Sequence, residues 1–525
     1  MKKLITILII AVAVNVTAQV AIGKENPDPT AILDVESTEK GFLPPRMTTA
    51  QRDAINSGSF TEGLIIYNTD INCIQYWNTT LWVSFCDGNT DPGGGGEDPP
   101  INYRLGGSGE DFPTSIQQTS DGGYIVAGRS TSSANGDVTG TNKGEFDSWI
   151  VKFDASGNKV WDKLYGGSGS DGASFIQQTS DGGYIIAGYS TSSANGDVTG
   201  TNKGDGDCWI VKLDASGNKI WDKLYGGSAE DSTNSIQQTS DGGYIIAGTS
   251  QSSASGDVSD TSNGNNDYWI VKLDASGNKI WDKLYGGSGI DLASSIQQTT
   301  DGGYIIAGTS QSSASGDVTD TSNGNNDYWI VKLDASGNKI WDKLYGGSGN
   351  DWANSIQKTT DGGYIVAGYS DSSASGDVSG ISKGIRDYWV LKLDAAGNKS
   401  WDKLYGGNSI DDAFSVQQTA DGGYIIAGYS LSSASGDVSG TNKGFGDYWI
   451  VKLDASGNKV WDKLYGGSFV DQASSIWQTS SGGYIVAGYS GHLSAGNGDQ
   501  TGLISRGGND YWVLTLDENG NLLEP

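Results

Sequence analysis

Asp181-Gly182-Gly183-Tyr184-Ile185-Ile186-Ala187-Gly188 is the stretch that decides the fold, because it does not occur once. Near-copies begin at Asp121, Asp241, Asp301, Asp361 and Asp421, and an altered seventh begins at Ser481. A second motif, Trp-(Ile/Val)-(Val/Leu), recurs at Trp149, Trp209, Trp269, Trp329, Trp389, Trp449 and Trp512. The unit is 60 residues long and fills the chain from about residue 101 to its end. A fixed period of that length means one supersecondary unit used repeatedly, each copy burying its neighbour's apolar face.

One copy, residues 171–230, reads as four strands. Ser174–Thr179 is the first, and Asp181-Gly182-Gly183 is a tight turn in which Gly accepts the positive φ of a hairpin. Tyr184–Tyr189 is the second strand, and a polar loop runs from about Ser190 to Gly206. Trp209–Leu213 is the third, Asp214-Ala215-Ser216-Gly217-Asn218 a second hairpin turn, and Lys219–Tyr225 the fourth. The two central strands are apolar almost throughout and predict burial on both faces. The fourth alternates polar and apolar residues, as a partly exposed edge does. Four antiparallel strands covered on both faces and repeated seven times predict an all-β seven-bladed β-propeller.

The ends of the repeat region are complementary. Ile101–Ser108 has the form of a fourth strand with no first three before it. After Trp512–Leu516 the chain runs only to Pro525, without a full fourth strand. Residues 101–105 are therefore expected to complete the seventh blade as its outer strand. A β-solenoid, the rival architecture, needs no such complementary ends.

Upstream, Lys2 and Lys3 precede an apolar run, Leu4–Val14, that is too short to span a bilayer, and Val16-Thr17-Ala18 offers a cleavage site. Residues 1–18 read as a signal peptide and place the protein outside the cell, on the outer surface or in the periplasm. No later stretch reads as a transmembrane segment. Residues 19–86 form a small β-rich module, and residues 87–100, rich in Gly, Pro and Asp, form a linker before the propeller at 101–525. Of the three Cys, Cys73 and Cys86 flank a hairpin-like segment and are expected to form a disulfide. Cys208 stands where other copies have Tyr and reads as a buried, inert thiol.

Ala31-Ile32-Leu33-Asp34-Val35, Lys40–Ile55 and Gly63–Asp70 resemble a module found near the N-termini of exported Bacteroidetes proteins and in phage tail-fibre-like proteins. That resemblance implies attachment or homo-oligomeric, trimeric assembly rather than catalysis; a plain β-rich spacer is the alternative. The repeats resemble kelch, WD40 and PQQ-type propeller blades. The turn before Trp221 is one residue shorter than the PQQ-type pattern, so no cofactor follows from it. The copies are more similar to an exported bacterial propeller family with Gly-Asp-Val-(Ser/Thr)-Gly loops and Asp-Tyr-Trp strands.

Net charge is −29 over 525 residues, which excludes a nucleic-acid binder, since such a protein needs a basic surface to replace phosphate counterions. Three Asp recur in every copy. One follows Gly-Gly-Ser: Asp111, Asp171, Asp231, Asp291, Asp351, Asp411 and Asp471. One lies in the long loop: Asp137, Asp197, Asp257, Asp317, Asp377, Asp437 and Asp499. One precedes the third strand: Asp147, Asp207, Asp267, Asp327, Asp387, Asp447 and Asp510. With first strands at the axis, all three sets converge on one face. Carboxylates with loop carbonyls can hold Ca²⁺, which takes several oxygen ligands; the alternative is that each Asp caps a turn. No other cofactor is indicated.

The inventory for catalysis is poor. The one His, His492, lies in an irregular loop, and Arg104, Arg129, Arg386 and Arg506 occupy unlike positions. Residues that break the repeat, among them Trp352, Lys358, Asp371, Arg386, Phe414 and Trp477, form no recognisable catalytic set. The expectation is a non-enzymatic surface or secreted protein that binds a glycan or protein through a multivalent propeller face. The alternatives are a structural spacer without a ligand and a hydrolase with an axial site.

Overall fold

The computed structural model describes residues 98–492, 496 and 498–523, together with 20–22, 33–35, 43–55, 63–69, 73–77, 82–84 and 90–91. The chain divides into two compact units, Met1–Gly94 and Gly95–Pro525. The expected signal peptide, residues 1–18, lies outside the described residues, as does Cys86.

The second unit is a seven-bladed propeller. Blade 2 has strands Asp171–Gln178, Tyr184–Ser190, Asp207–Leu213 and Lys219–Tyr225, antiparallel and in that order. The third strand is buried along its whole length and the fourth alternates, as their sequences require. The first strand starts three residues earlier than expected, at Asp171 rather than Ser174, because Asp171-Gly172-Ala173 continues the ladder opposite Ser190-Tyr189-Gly188 before a bulge. Gly182 and Gly217 take φ of 80° and 77° in the two hairpin turns, where a side chain would be strained.

Aromatic contacts tie each blade to the next. The Trp161 ring lies where a Cβ on Gly217 would be, 2.9 Å away, so only Gly fits. Tyr165 Oη donates to Gly217 O. Tyr268 packs on Trp329 of the following blade, with centroids 4.6 Å apart, and donates to its carbonyl at 3.0 Å. Such pairs add to the large apolar area each ring removes from water.

The seventh blade is Asp471–Gln478, Tyr484–Ser490, Asp510–Leu516 and then Asn102–Leu105, the strand from the start of the repeats. Trp512 Nε1 donates to Asn102 Oδ1 at 2.8 Å, as Trp209 Nε1 does to Asp222 at 3.1 Å inside blade 2. Tyr511 Oη reaches Trp149 O of blade 1 at 3.1 Å. The ring is closed, and a solenoid is excluded.

Residues just before this strand take part in closure. In blade 2 Thr179 Oγ1 donates to Asp181 Oδ1 at 2.5 Å. The altered copy has Ser481 at that place, and Thr479 Oγ1 donates instead to Asp98 Oδ2 at 2.6 Å. Pro99 O accepts from Thr515 Oγ1 at 2.7 Å.

The first strands surround the axis. Their (Ser/Phe)-(Ile/Val)-(Gln/Trp) segments line a channel cavity of about 170 Å³, with Gln178 N donating to Gln117 Oε1 of the preceding blade at 2.8 Å and Gln238 N to Gln177 Oε1 at 2.6 Å.

In the N-terminal unit, Val20–Ile22 pairs in parallel with Leu33–Val35. A mixed sheet follows in the order Arg46–Met47, Ile65–Asn68, Cys73–Trp77, Trp82–Ser84, Thr90–Asp91. The helix Thr49–Asp53 starts with a capping box between Thr48 and Gln51. Ile66, Trp77 and Trp82 form its apolar core. Cys73 is disulfide-bonded, and Cys208 is a buried free thiol.

Candidate functional site

Strand register places the aspartates. In blade 2 Asp171, Ser190 and Asp207 lie side by side across the first three strands, at the end of the blade opposite the Asp-Gly-Gly turn. The first and third sets therefore begin strands rather than preceding them.

The first set is held by protein donors, at both oxygens in Asp111, Asp171, Asp231, Asp411 and Asp471, and at Oδ2 alone in Asp291 and Asp351, whose Oδ1 finds no partner among the described residues. Asp171 Oδ1 accepts from Ser190 Oγ, and Oδ2 accepts from Gly167 N at 2.6 Å and Ser192 Oγ at 2.8 Å. The second set bridges blades: Asp197 pairs with Lys143 at 2.9 Å, Asp257 with Lys203 at 2.7 Å, Asp437 with Lys383 at 2.7 Å, Asp499 with Lys443 at 2.8 Å and Asp137 with Arg506 at 2.8 Å. Asp317 and Asp377 accept instead from Asn263 and Asn323, both at 3.2 Å.

The third set is unusual. Asp207 Oδ2 accepts from Lys203 N at 2.9 Å, but Oδ1 is buried against Gly226 and finds no hydrogen-bond partner among the described residues. The same oxygen is unpartnered in Asp147, Asp267, Asp327, Asp387, Asp447 and Asp510. Burial pushes all of these carboxyls up, Asp147 and Asp387 to about 6 and Asp447 to about 7. Burial likewise raises Asp111 and Asp351 of the first set to about 6, against hydrogen bonds from serines and a glycine N–H. Among the described residues no group of three or more His, Cys, Asp or Glu is placed to hold a metal ion. What these contacts do chemically is cap turns and join neighbouring blades.

The residues that differ between copies gather next to this array, around the mouth of the axial channel. The second residue of the first strand is Phe112, Gly172, Ser232, Leu292, Trp352, Asp412 or Gln472. Its cross-strand partner on the second strand is Arg129, Tyr189, Thr249, Thr309, Tyr369, Tyr429 or Tyr489. Several repeat-breaking residues meet here. Trp352 stacks on Tyr369, with centroids 6.3 Å apart and planes 12° apart. The Arg386 guanidinium lies 4.5 Å from the centre of the Tyr369 ring and pairs with Asp412 of the next blade at 2.8 Å. Tyr429 Oη donates to Asp412 Oδ2 at 3.2 Å, and Phe414 stacks on Tyr429 at 6.1 Å. Burial raises Asp412 to about 6, against the pull of Arg386. On the other side of the mouth Arg129 lies over Phe112 at 5.4 Å and Phe146 at 5.1 Å.

Beside Trp352 a groove of about 280 Å³ opens across blades 3 to 5. The remaining repeat-breaking residues lie apart from that cluster. Asp371 accepts from the Asn350 side chain at 2.8 Å, Lys358 ends its strand at the opposite end of the blade, and Trp477 lines the channel. The His492 ring sits 5.9 Å from that of Phe469.

Residues 21–96 match the family model described as "Phage tail like trimerisation region". A segment similar to that region thus precedes the seven-bladed propeller. The regulatory protein FlaEY of Caulobacter vibrioides is 22% identical over 250 residues, 43% of this chain and 26% of that protein. The chain thus spans about a quarter of the length of that relative. Among solved structures, BamB from Moraxella catarrhalis is 12% identical with a TM-score of 0.34, over 85% of this chain and 95% of that one. The Neurospora crassa Pan2 WD40 domain is 11% identical with a TM-score of 0.40, over 82% and 99%. Kuenenia stuttgartiensis hydrazine synthase is 10% identical with a TM-score of 0.43, over 75% and 96%.

Proposed function

We propose that the protein is an exported, non-enzymatic binding or adhesion protein that trimerises through its N-terminal module and engages a glycan or protein with the aspartate-bearing face of its propeller. The observation that carries this reading is the concentration of blade-specific side chains at the axial mouth of that face. Elsewhere the copies are nearly the same, so packing needs are met by one set of residues. At the mouth they range from Gly172 to Trp352 at equivalent positions. A trimer would present three such mouths and gain avidity without tight single sites. No helix among the described residues is long and apolar enough to cross a membrane.

The test is a glycan array and an extracellular-matrix protein array probed with the full chain, with and without Ca²⁺, alongside its mass in solution by light scattering. Retention of discrete glycans or proteins by a trimer is the expected result. Retention only with Ca²⁺ would assign the aspartates of the same face a metal. Absence of retention in both conditions would overturn the binding role in favour of a spacer, and turnover of arrayed glycosides would favour a hydrolase.

A further inference from the structure

The groove beside Trp352 has a wall chemistry more specific than the face as a whole. Trp352 and Leu292 supply apolar surface, and Glu230, Asn234, Thr249 and Gln251 supply polar groups. We propose that this groove is a subsite for one neutral sugar residue, with Trp352 as the platform under the sugar ring. The inference rests on the binding role proposed above and gives it a ligand class and a place.

The size and wall chemistry of the groove point to a neutral sugar. Its volume of about 280 Å³ lies just below the ~300 to 1,000 Å³ of drug-sized ligand pockets and suits one ring rather than an extended polymer. A pyranose has an apolar C–H face and a rim of hydroxyls, and it needs a flat aromatic beside groups that both donate and accept. The face of an indole is electron-rich and attracts polarised C–H groups. Amide side chains both donate and accept, and a carboxylate accepts from hydroxyls.

The polar groups are also poised for a ligand. Thr249 is 7% exposed, and its Oγ1 finds no partner among the described residues. Asn234 Nδ2 donates to Ala293 O at 2.7 Å, which fixes the amide and leaves its Oδ1 as an acceptor. No Lys or Arg lines the groove, so an anionic sugar or a phosphate has no counter-charge there.

The platform is held before any ligand arrives. Tyr369 stacks on Trp352, Arg386 lies over Tyr369, and Asp412 pairs with Arg386. Tyr369 and Arg386 are positioning residues for the indole. A pre-ordered ring loses little side-chain freedom on binding.

The experiment is saturation-transfer NMR on the full chain with methyl glycosides of glucose, galactose, mannose and N-acetylglucosamine, plus glucuronate and choline as charged controls. At least one neutral glycoside is expected to bind, with saturation strongest on one C–H face of the ring. Trp352→Ala should weaken it by about tenfold or more, a change of one decade in Kd. Glu230→Gln should weaken it less, and Arg386→Ala should weaken it without altering which ring protons are saturated. Val160→Ala, at an exposed outer-strand position, should leave binding unchanged. Circular dichroism confirms that each variant is folded. Glycoside binding that survives both Trp352→Ala and Glu230→Gln would overturn the groove while leaving the binding role intact. Choline binding that depends on Trp352, without any glycoside binding, would overturn the ligand class. Binding of no neutral glycoside would also overturn the inference, and the arrays would then decide the binding role separately.

Discussion

Arg104 lies opposite Trp512 in the last blade, where the first six blades place a leucine, such as Leu164 opposite Trp149. Its Nη2 donates to Asp510 Oδ2 at 2.8 Å and to Ser490 O at 3.0 Å, and its Nη1 to Gly491 O at 3.1 Å and Gln500 Oε1 at 3.0 Å. The two charged side chains are 0% and 1% exposed. Arg104→Ala removes the charge partner of a buried carboxylate and a donor from three other acceptors, and breaking such a pair by removing one partner costs about 3–5 kcal/mol. Arg104→Leu is a sharper probe, because it gives the seventh blade the side chain the others carry. Those blades tolerate an unpaired buried aspartate at this place by raising its pKa, to about 7 for Asp447. Asp510, already raised by burial against the pull of Arg104, should rise further in Arg104→Leu. A raised carboxyl pKa means that the folded state binds the extra proton, so stability falls as pH rises through the raised value. The extra cost in Arg104→Leu, relative to wild type, should therefore be small at pH ~5. It should grow by about 1.4 kcal/mol for each pH unit between the wild-type pKa of Asp510 and the raised one, and level off above the raised value. Urea unfolding of the full chain, followed by tryptophan fluorescence at pH ~5 and ~8, reads both variants. A loss under about 1 kcal/mol in Arg104→Ala, or a pH-independent difference in Arg104→Leu, would refute the reasoning.

Removing residues 95–105 takes away the outer strand of the seventh blade, including fully buried Ile101 and nearly buried Leu105, and leaves Trp512 Nε1 without Asn102. A sharp fall in melting temperature is expected, and an unchanged melting curve would argue against closure by this strand. The pH dependence of wild-type stability has two limbs. Asp111, Asp147, Asp351 and Asp387 titrate at about 6 when folded and Asp447 at about 7, against 3.8 unperturbed, so stability should rise as pH falls from about 7 toward 4. Hydrogen bonds from Thr299 and Lys332 hold Asp301 at about 2 against burial, so its contribution is present above 3.8 and lost as pH falls toward 2. Melting temperature should peak at mildly acidic pH, near 4 to 5, and a peak above neutrality would count against the buried aspartates.

Nearly all of the propeller was legible in the sequence, because each blade writes its burial into strand alternation and its turns into Gly pairs. The complementary ends of the repeat region likewise showed how the ring closes. Two things were not legible. Asp98 sits in a stretch whose Gly, Pro and Asp composition reads as linker, yet its carboxylate serves the place that Ser481 vacates. Trp352, Tyr369, Arg386 and Asp412 come from a first strand, a second strand, the residue before a third strand and the next blade's first strand. No linear spacing shows that they touch, since their meeting depends on how one blade packs on the next. Two of them, Trp352 and Arg386, stood out as breaks in the repeat, and that was the usable signal. Asp412 could have been found the same way, because Asp411-Asp412 is the only copy in which a second acid follows the first.

The same comparison between copies bears on what the aspartates are for. A residue present in every blade at a ring contact is accounted for by that contact: Asp171 by three donors, Asp197 by Lys143, Gly217 by the Trp161 ring. Their recurrence needs no ligand to explain it. Positions that flank these contacts yet vary from no side chain at Gly172 to an indole at Trp352 cannot share a packing role, since a core position tolerates a change of even one methylene poorly. Variation of that size beside so much constancy marks surface where shape is free to follow a partner. In this chain that surface is the axial mouth, and it is unequal around the ring: aromatic and charged in blades 5 and 6, small and polar in blade 3. On the proposed binding role, a ligand held there would meet one side of the ring rather than seven equivalent sites, with the repeat as scaffold and its exceptions as the source of specificity.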